Sequence, residues 1–307
     1  MQDFLTVGQQ VLVLFLLIAA GFVCGKTGVI NGGATKVMAD IVMYLATPCV
    51  IITSFQRELK MELLRGLLIS LAASLLIHIA SIALALLVFR DKNYDRQRVL
   101  RFAMVFSNAG YMALPLQQAV LGSEGVFFGA MYVAVFNLTV WSWGLANMSG
   151  GLKALSWKKL IINPGVIGLV VGGVLFLLQI TLPEVLFAPL THLGNLNTPL
   201  PMLIIGYYLS QTDVRVILRD KAAFLCMVLR LVVVPLAALG VMLLCGVRDT
   251  VLVSMVIAVS APVAAATTMF ATKYEADTAL SVNLVSLSTL LSVVTMPLIV
   301  ALAKSLA

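Results

Sequence analysis

"SNAGYMALPL", residues 107–116, places an amide, a glycine and a proline within eight residues of an otherwise apolar stretch. A helix crossing a membrane normally avoids that combination. Pro115 cannot donate a backbone hydrogen bond, and its ring clashes with the carbonyl four residues earlier. Gly110 tolerates non-helical dihedrals, and Asn108 offers donors and acceptors together. The stretch predicts a helix that unwinds near the bilayer midplane and then restarts. Irregular backbone at that depth is tolerated only where it is buried in protein or lines an aqueous cavity. One short segment therefore speaks to both the fold and a site.

The chain around it has the composition of a polytopic membrane protein. Of 307 residues, 61% are hydrophobic and 11% charged, with a mean hydropathy of +1.07. A soluble domain of this size needs more polar surface to cover its core. A helical span takes about 20 apolar residues, and ten segments qualify: 5–25, 34–55, 66–89, 99–121, 125–147, 163–182, 195–211, 222–245, 251–273 and 277–303. Alternating strand patterns are missing, so helices satisfy the backbone in lipid. The connections are short and leave no separate soluble catalytic or regulatory domain. Only Asp3 is charged ahead of the first span and no small-residue cleavage pattern follows it, so that span reads as a retained helix. Cys24, Cys49, Cys226 and Cys245 lack metal-ligand spacing and read as small packing residues.

The net charge of +7 is not a nucleic-acid footprint, because the basic residues divide by membrane side. With ten spans, fourteen of the 20 Lys and Arg, from Lys26 to Lys273, fall in loops of one side. Arg57, Lys60, Arg65, Arg248 and Lys304 fall on the other, and Arg230 lies inside a span. The richer side is expected to be cytoplasmic, with both termini outside.

Marks of an internal repeat recur in order. Pro48 and Pro199 lie 151 residues apart, Pro115 and Pro262 lie 147 apart, and Asn137 and Asn283 lie 146 apart. Five spans per half is an odd number, so the second half enters the membrane inverted. In inverted-repeat transporters, interrupted helices in matching positions mark the substrate site. The ninth span, with Ser260 and Pro262 ahead of Ala264, Ala265, Ala266, Thr267 and Thr268, is the expected partner of the fourth. If the two interrupted helices cross, half-helix N-termini converge and favour an anion there. Asn108 and Tyr111 are placed to hydrogen-bond it.

In these residues the chain resembles the auxin efflux carrier family, which includes plant PIN-type auxin exporters and bacterial malate or malonate permeases. The likeness rests on "SNAGYMALPL", "VFNLTVWSWG" (135–144), "LRLVVVPL" (229–236) and "SAPVAAATTMFATKY" (260–274). The resemblance implies an all-α membrane protein of ten transmembrane helices, built as two inverted five-helix repeats, 1–147 and 163–307, joined by a short linker, 148–162. It implies a scaffold of spans one, two, six and seven. Spans three to five and eight to ten would form a moving transport domain, with helices four and nine broken and crossing at proline. It further implies an elevator-like mechanism, a homodimer, and a small carboxylate as substrate. The long hydrophilic central loop of many plant exporters is missing here, so regulation through it is not expected.

Other polar residues carry open readings. Arg230, roughly 13 Å into the eighth span at the helical rise, reads either as an anion-binding or gating group, or as a structural arginine on carbonyls of an unwound helix. His78 reads as a neutral ring bonded to a neighbouring helix, with a proton relay as the alternative. Asp40, four residues after Lys36, reads as half of an interfacial ion pair. Asn137 and Asn283 read as buried amides, either helix glue or pocket residues. Trp141, Trp143 and Trp157 are placed as an interfacial belt would place them, and His192 falls in a short loop. Catalytic and nucleotide-binding motifs are missing, so the chain is not expected to be an enzyme or an ATP-driven pump, and no cofactor or metal is expected.

The resulting expectation is a carrier of a small organic anion in a bacterial-type cytoplasmic membrane, driven secondarily or by the membrane potential. Asn108, Gly110, Tyr111 and Pro115 would shape one side of its pocket and Ser260 and Pro262 the other, with Asn137, Asn283 and Arg230 flanking. A membrane sensor or channel on the same fold is the alternative. The sequence leaves open whether a proton, a sodium ion or neither is coupled.

Overall fold

The computed structural model describes residues 2–151, 164–211 and 220–307. Most of the linker foreseen at 148–162 lies outside these residues, as do Trp157 and the basic residues Lys153, Lys158, Lys159, Arg215 and Arg219. Among the described residues every regular element is helical. The elements are α1 (Gln2–Lys26), α2 (Gly32–Ser54), α3 (Met61–Val88), α4 (Tyr94–Val105), α5 (109–121), α6 (123–149), α7 (Pro164–Leu177), α8 (Glu184–Asn195), α9 (Pro199–Ser210), α10 (Lys221–Leu244), α11 (Asp249–Ser260), α12 (Ala266–Lys273) and α13 (Thr278–Leu306).

Five helical runs are long and apolar enough to cross a membrane: α2, α3, the α5–α6 run, α10 and α13. Three shorter apolar helices are Leu12–Lys26 within α1, α7 and α11. The α5–α6 run is a hairpin, not one rod. Gly122 takes φ 67° and ψ −158°, a conformation that L side chains resist. Beyond it a Cβ on Gly129 would stand 2.1 Å from Gln117 Oε1, so the missing side chain lets the two arms close.

Proline explains three of the four π-turns among the described residues; the fourth, Val140–Gly144, has none after it. Wide π-turns occupy 42–46, 109–113 and 229–233, and each is followed two residues later by Pro48, Pro115 or Pro235. Each ring displaces a carbonyl inside the preceding turn, and that turn widens instead of the helix breaking.

The helices sort into two groups. α1, α2, α7, α8 and α9 pack with one another, and α3 to α6 pack with α10 to α13. The α1–α9 contact is the closest approach. A Cβ on Gly21 would meet Leu203 O at 2.4 Å, and one on Gly206 would meet Ile18 O at 2.1 Å. Small residues of this kind let membrane helices touch backbone to backbone. In the second group α11 is tied to the hairpin: Gln117 Nε2 donates to Ser254 O at 2.8 Å, and Ser254 Oγ donates to Gly125 O at 2.8 Å. α13 contacts both groups.

Helix begins earlier than expected ahead of the seventh segment. The seventh was placed at 195–211, yet helix begins at Glu184, and His192 sits in the last turn of α8, not in a loop. Pro189 and the polar residues Thr191, His192 and Asn195 dilute the apolar signal there. The chain is interrupted at 196–198, where Thr47 Oγ1 of α2 donates to Asn197 Oδ1 at 2.9 Å.

Loops gather on two faces. On one, Gln56 bonds with Ile180 and Leu182, Leu59 N donates to Gln179 Oε1, and Arg57 reaches Ser123. On the other, Arg96 pairs with Asp91 and Asp220, while Asn147 Nδ2 donates to Arg98 O at 2.9 Å. Burial works against ionisation of Asp220, but the Arg96 hydrogen bond, then the Ala223 N–H, Arg96's charge and the Ala222 N–H, hold its carboxyl below the usual range. The same carboxylate caps α10.

Candidate functional site: a crossing of unwound segments beside a crevice

α4 ends at Val105 and α11 at Ser260, and both chains then run extended. At Ala261 the cause is local, because the residue before a proline is pushed out of the helical region. Asn108 N donates to Pro262 O at 2.7 Å, and Ala264 N donates to Phe106 O at 2.9 Å. These bonds form a single antiparallel bridge between Ser107 and Val263. Val263 N donates to Ser288 Oγ of α13 at 3.0 Å, and Ser107 Oγ lies 3.2 Å from Tyr132 OH. These groups of the unwound backbone thus find their partners within the protein.

Pro115 is not at the crossing. Asn108, not Pro115, stands opposite Pro262, and the bridged residues lie 156 apart in sequence, not 147. Pro115 acts one step away, widening the turn that carries Gly110 and Tyr111. Gly110 is helical and does not supply unusual dihedrals, since it has no positive φ. Its contribution is space: a Cβ there would meet nothing within 4 Å.

Beside the crossing lies a narrow crevice of about 10 Å³, roughly the room of one water molecule. Tyr111 and Ala265 line one wall, Ile204, Ile205, Tyr208 and Leu209 of α9 another, and Val285, Ser286 and Thr289 of α13 the third. Asn108, only 5% exposed, caps α5 with its carbonyl, which accepts from Met112 N at 3.0 Å. Its side-chain Nδ2 has no hydrogen-bond partner, nor has Thr267 Oγ1 in the first turn of α12. Two helix N-termini, those of α5 and α12, therefore start next to crevice residues. The contacting side chains include no carboxylate.

The other expected residues fall elsewhere. Ser260 is wholly buried and its Oγ donates back to Ile257 O, and Pro262 contributes its carbonyl to the bridge. Asn137 and Asn283 are half-buried, not buried, and Asn137 Nδ2 donates to Val133 O of its own helix. Asn283 precedes Ser286 by one turn on α13. Arg230 is wholly buried and donates to backbone carbonyls: Met104 O at 3.5 Å, Ala261 O at 3.3 Å, and Val259 O. His78 bonds Ser74 O of its own helix at 2.8 Å, not a neighbouring helix. No ion pair joins Lys36 to Asp40, which is exposed. Trp141 and Trp143 pack inward on Phe270 and Phe106 and do not form a belt. Tyr208, Ser286 and Thr289 were missed. The hydroxyls three apart in "VSLSTLLS" were a signal for the latter two; for Tyr208 none existed.

On the loop face of Gln56 and Arg57, a seal of aromatic rings lies beside a cleft of about 230 Å³ lined by Phe55, Arg57, Leu175 and Gln179. Phe55, Phe127 and Phe176 form an aromatic cluster across the two helix groups, with Phe55–Phe127 centroids 4.6 Å apart. Arg57 lies over Phe127 at 4.6 Å and donates to Ser123 Oγ at 3.0 Å. Together these two contacts contribute about 1–2 kcal/mol. Arg57→Ala is expected to speed labelling of an introduced Ala130→Cys by about tenfold, since residue 130 lies one turn from Phe127 and is otherwise buried. An unchanged rate of maleimide labelling would mean that Arg57 does not hold this seal.

Comparison with known proteins agrees with this architecture. A family model described as a membrane transport protein matches residues 6–155 and 148–300. An uncharacterized transporter of Methanothermobacter thermautotrophicus is 26% identical over 294 residues, covering 94% of this chain and 96% of that protein.

Proposed function

Because the chain belongs to the membrane transport protein family and is a transporter, we propose that it is a secondary carrier of a small organic anion with a carboxylate group. The observation that carries this reading is the pair of helix N-termini beside a crevice whose contacting side chains include no acid, next to the unpartnered amide of Asn108. Positive dipole ends and free N–H donors favour an anion there. The apolar walls from α9 suit the hydrocarbon part of the same molecule.

The interrupted pairs α4/α5, α8/α9 and α11/α12 each complete one span. With the seven remaining helices this makes ten, in two inverted halves. Scaffold helices α1, α2 and α7 to α9 hold a homodimer, and the other group moves past them as an elevator. The membrane is a bacterial-type cytoplasmic one with both termini outside. The aromatic seal of Phe55, Phe127 and Phe176 between the two helix groups supports alternating access over a channel, which needs a continuous path.

Counterflow in proteoliposomes tests the reading. Labelled malonate, malate and indole-acetate are each offered against the unlabelled compound. Saturable uphill exchange of one of them is the expected result. Flux without saturation or exchange would favour the channel, and silence from every carboxylate would sink the substrate class.

A further inference from the structure

Two interrupted helices that cross have two chemically different ends. Their restarting N-termini offer N–H groups, while the terminating halves present carbonyls and negative dipole ends. In ion-coupled carriers such carbonyl ends hold the coupling cation. In this chain that place is filled. Arg230 of α10 donates to Met104 O at the end of α4, and to Val259 O and Ala261 O where α11 unwinds. The guanidinium is wholly buried. Beside it stand Tyr132 of α6, His78 of α3 and, on its own helix, Cys226. No carboxylate pairs with it within 4.0 Å among the described residues.

We propose that the Arg230 side chain is the resident cation of the crossing, occupying the place of a coupling sodium ion, so that the carrier works without sodium. A planar fork of five donors holds carbonyls of two helices at once in a fixed geometry, which the three donors of a lysine's compact charge do less well. By holding both terminating halves, Arg230 also sets where the restarting N-termini lie. It is a positioning residue and does not itself line the crevice. The transport half of this inference rests on the carrier reading above; the cation half does not.

The test uses the purified full chain in detergent and in proteoliposomes. Wild type is expected to show the same Tm, and the same malonate counterflow, in sodium chloride and in choline chloride. Arg230→Ala is expected to lose on the order of 5 °C in Tm. It should regain most of that, saturably, with millimolar guanidinium or with sodium but not choline, because the emptied carbonyl site accepts a small cation. Arg230→Lys, the variant to use if the alanine chain fails to fold, is expected to stay sodium-insensitive with an intermediate Tm. A saturable sodium effect on wild type or on Arg230→Lys would overturn the proposal, as would an alanine variant indifferent to both cations. Failure of malonate and every other carboxylate to exchange would count against the substrate class alone, leaving the Tm series to decide the role of Arg230.

Discussion

Asn108→Ala is expected to slow carboxylate exchange by about tenfold to a hundredfold while leaving Tm unchanged or slightly raised. The sign of the second effect is what makes the first informative. Asn108 N–H bonds Pro262 O, and its carbonyl caps α5, but both are backbone groups that alanine retains. The side-chain Nδ2 is buried without a partner, and an unsatisfied buried donor costs about 1–3 kcal/mol. Removing it relieves that cost in the empty protein. It also removes a donor beside the anion, where a hydrogen bond to a charged group is worth about 1.5–3 kcal/mol. Exchange kinetics and a thermal scan on the same preparation check both. If exchange survives, recognition lies elsewhere in the crevice. If Tm falls together with exchange, Asn108 is a structural residue of the crossing.

Gly206→Leu is expected to destabilise the protein by about 3 kcal/mol or more, lowering Tm by roughly 6–10 °C. The atoms a Cβ would strike are backbone: Ile18 O at 2.1 Å, Phe22 N at 2.6 Å and Gly21 C at 2.8 Å. Backbone cannot rotate aside, so α1 and α9 must separate along their length. Gly173→Ala is the control, since a Cβ there meets nothing within 4 Å, and its Tm should hold within about 1 °C. Equal melting of the two variants would mean that the α1–α9 contact contributes little.

The interruption in "SNAGYMALPL" was legible because asparagine, glycine and proline are costly in a membrane helix unless something compensates. The position of the break, expected at Pro115 and found at 106–108, was misread by about two turns. Proline was given the role of breaker, yet Pro115 only widens the turn after the break, and the extended backbone at 106–108 carries no proline at all. It stays extended because Pro262 and Ala264 from 155 residues away complete its hydrogen bonds. No local rule contains that partner. The start of α8 was lost for a related reason: a span that packs against α2 tolerates Thr191, His192 and Asn195, which an averaged hydropathy scale penalises.

Arg230 shows the same division. That a buried arginine would either meet an anion or hold carbonyls followed from the cost of its charge in lipid. Which of the two holds depended on where α4 and α11 end in space, and both end at its guanidinium. Crevice residues Tyr208, Ser286 and Thr289 come from helices whose own sequences read as ordinary apolar packing.

By itself the sequence determined the solvent of this protein, the helical class and the presence of a broken helix. Those properties follow from transfer free energies and backbone sterics, which act residue by residue. Only the tertiary structure decided which broken segments pair, which cation meets the carbonyl ends and which side chains border the crevice. These depend on close approach between segments far apart in the chain, set by gaps as small as the missing Cβ of Gly206.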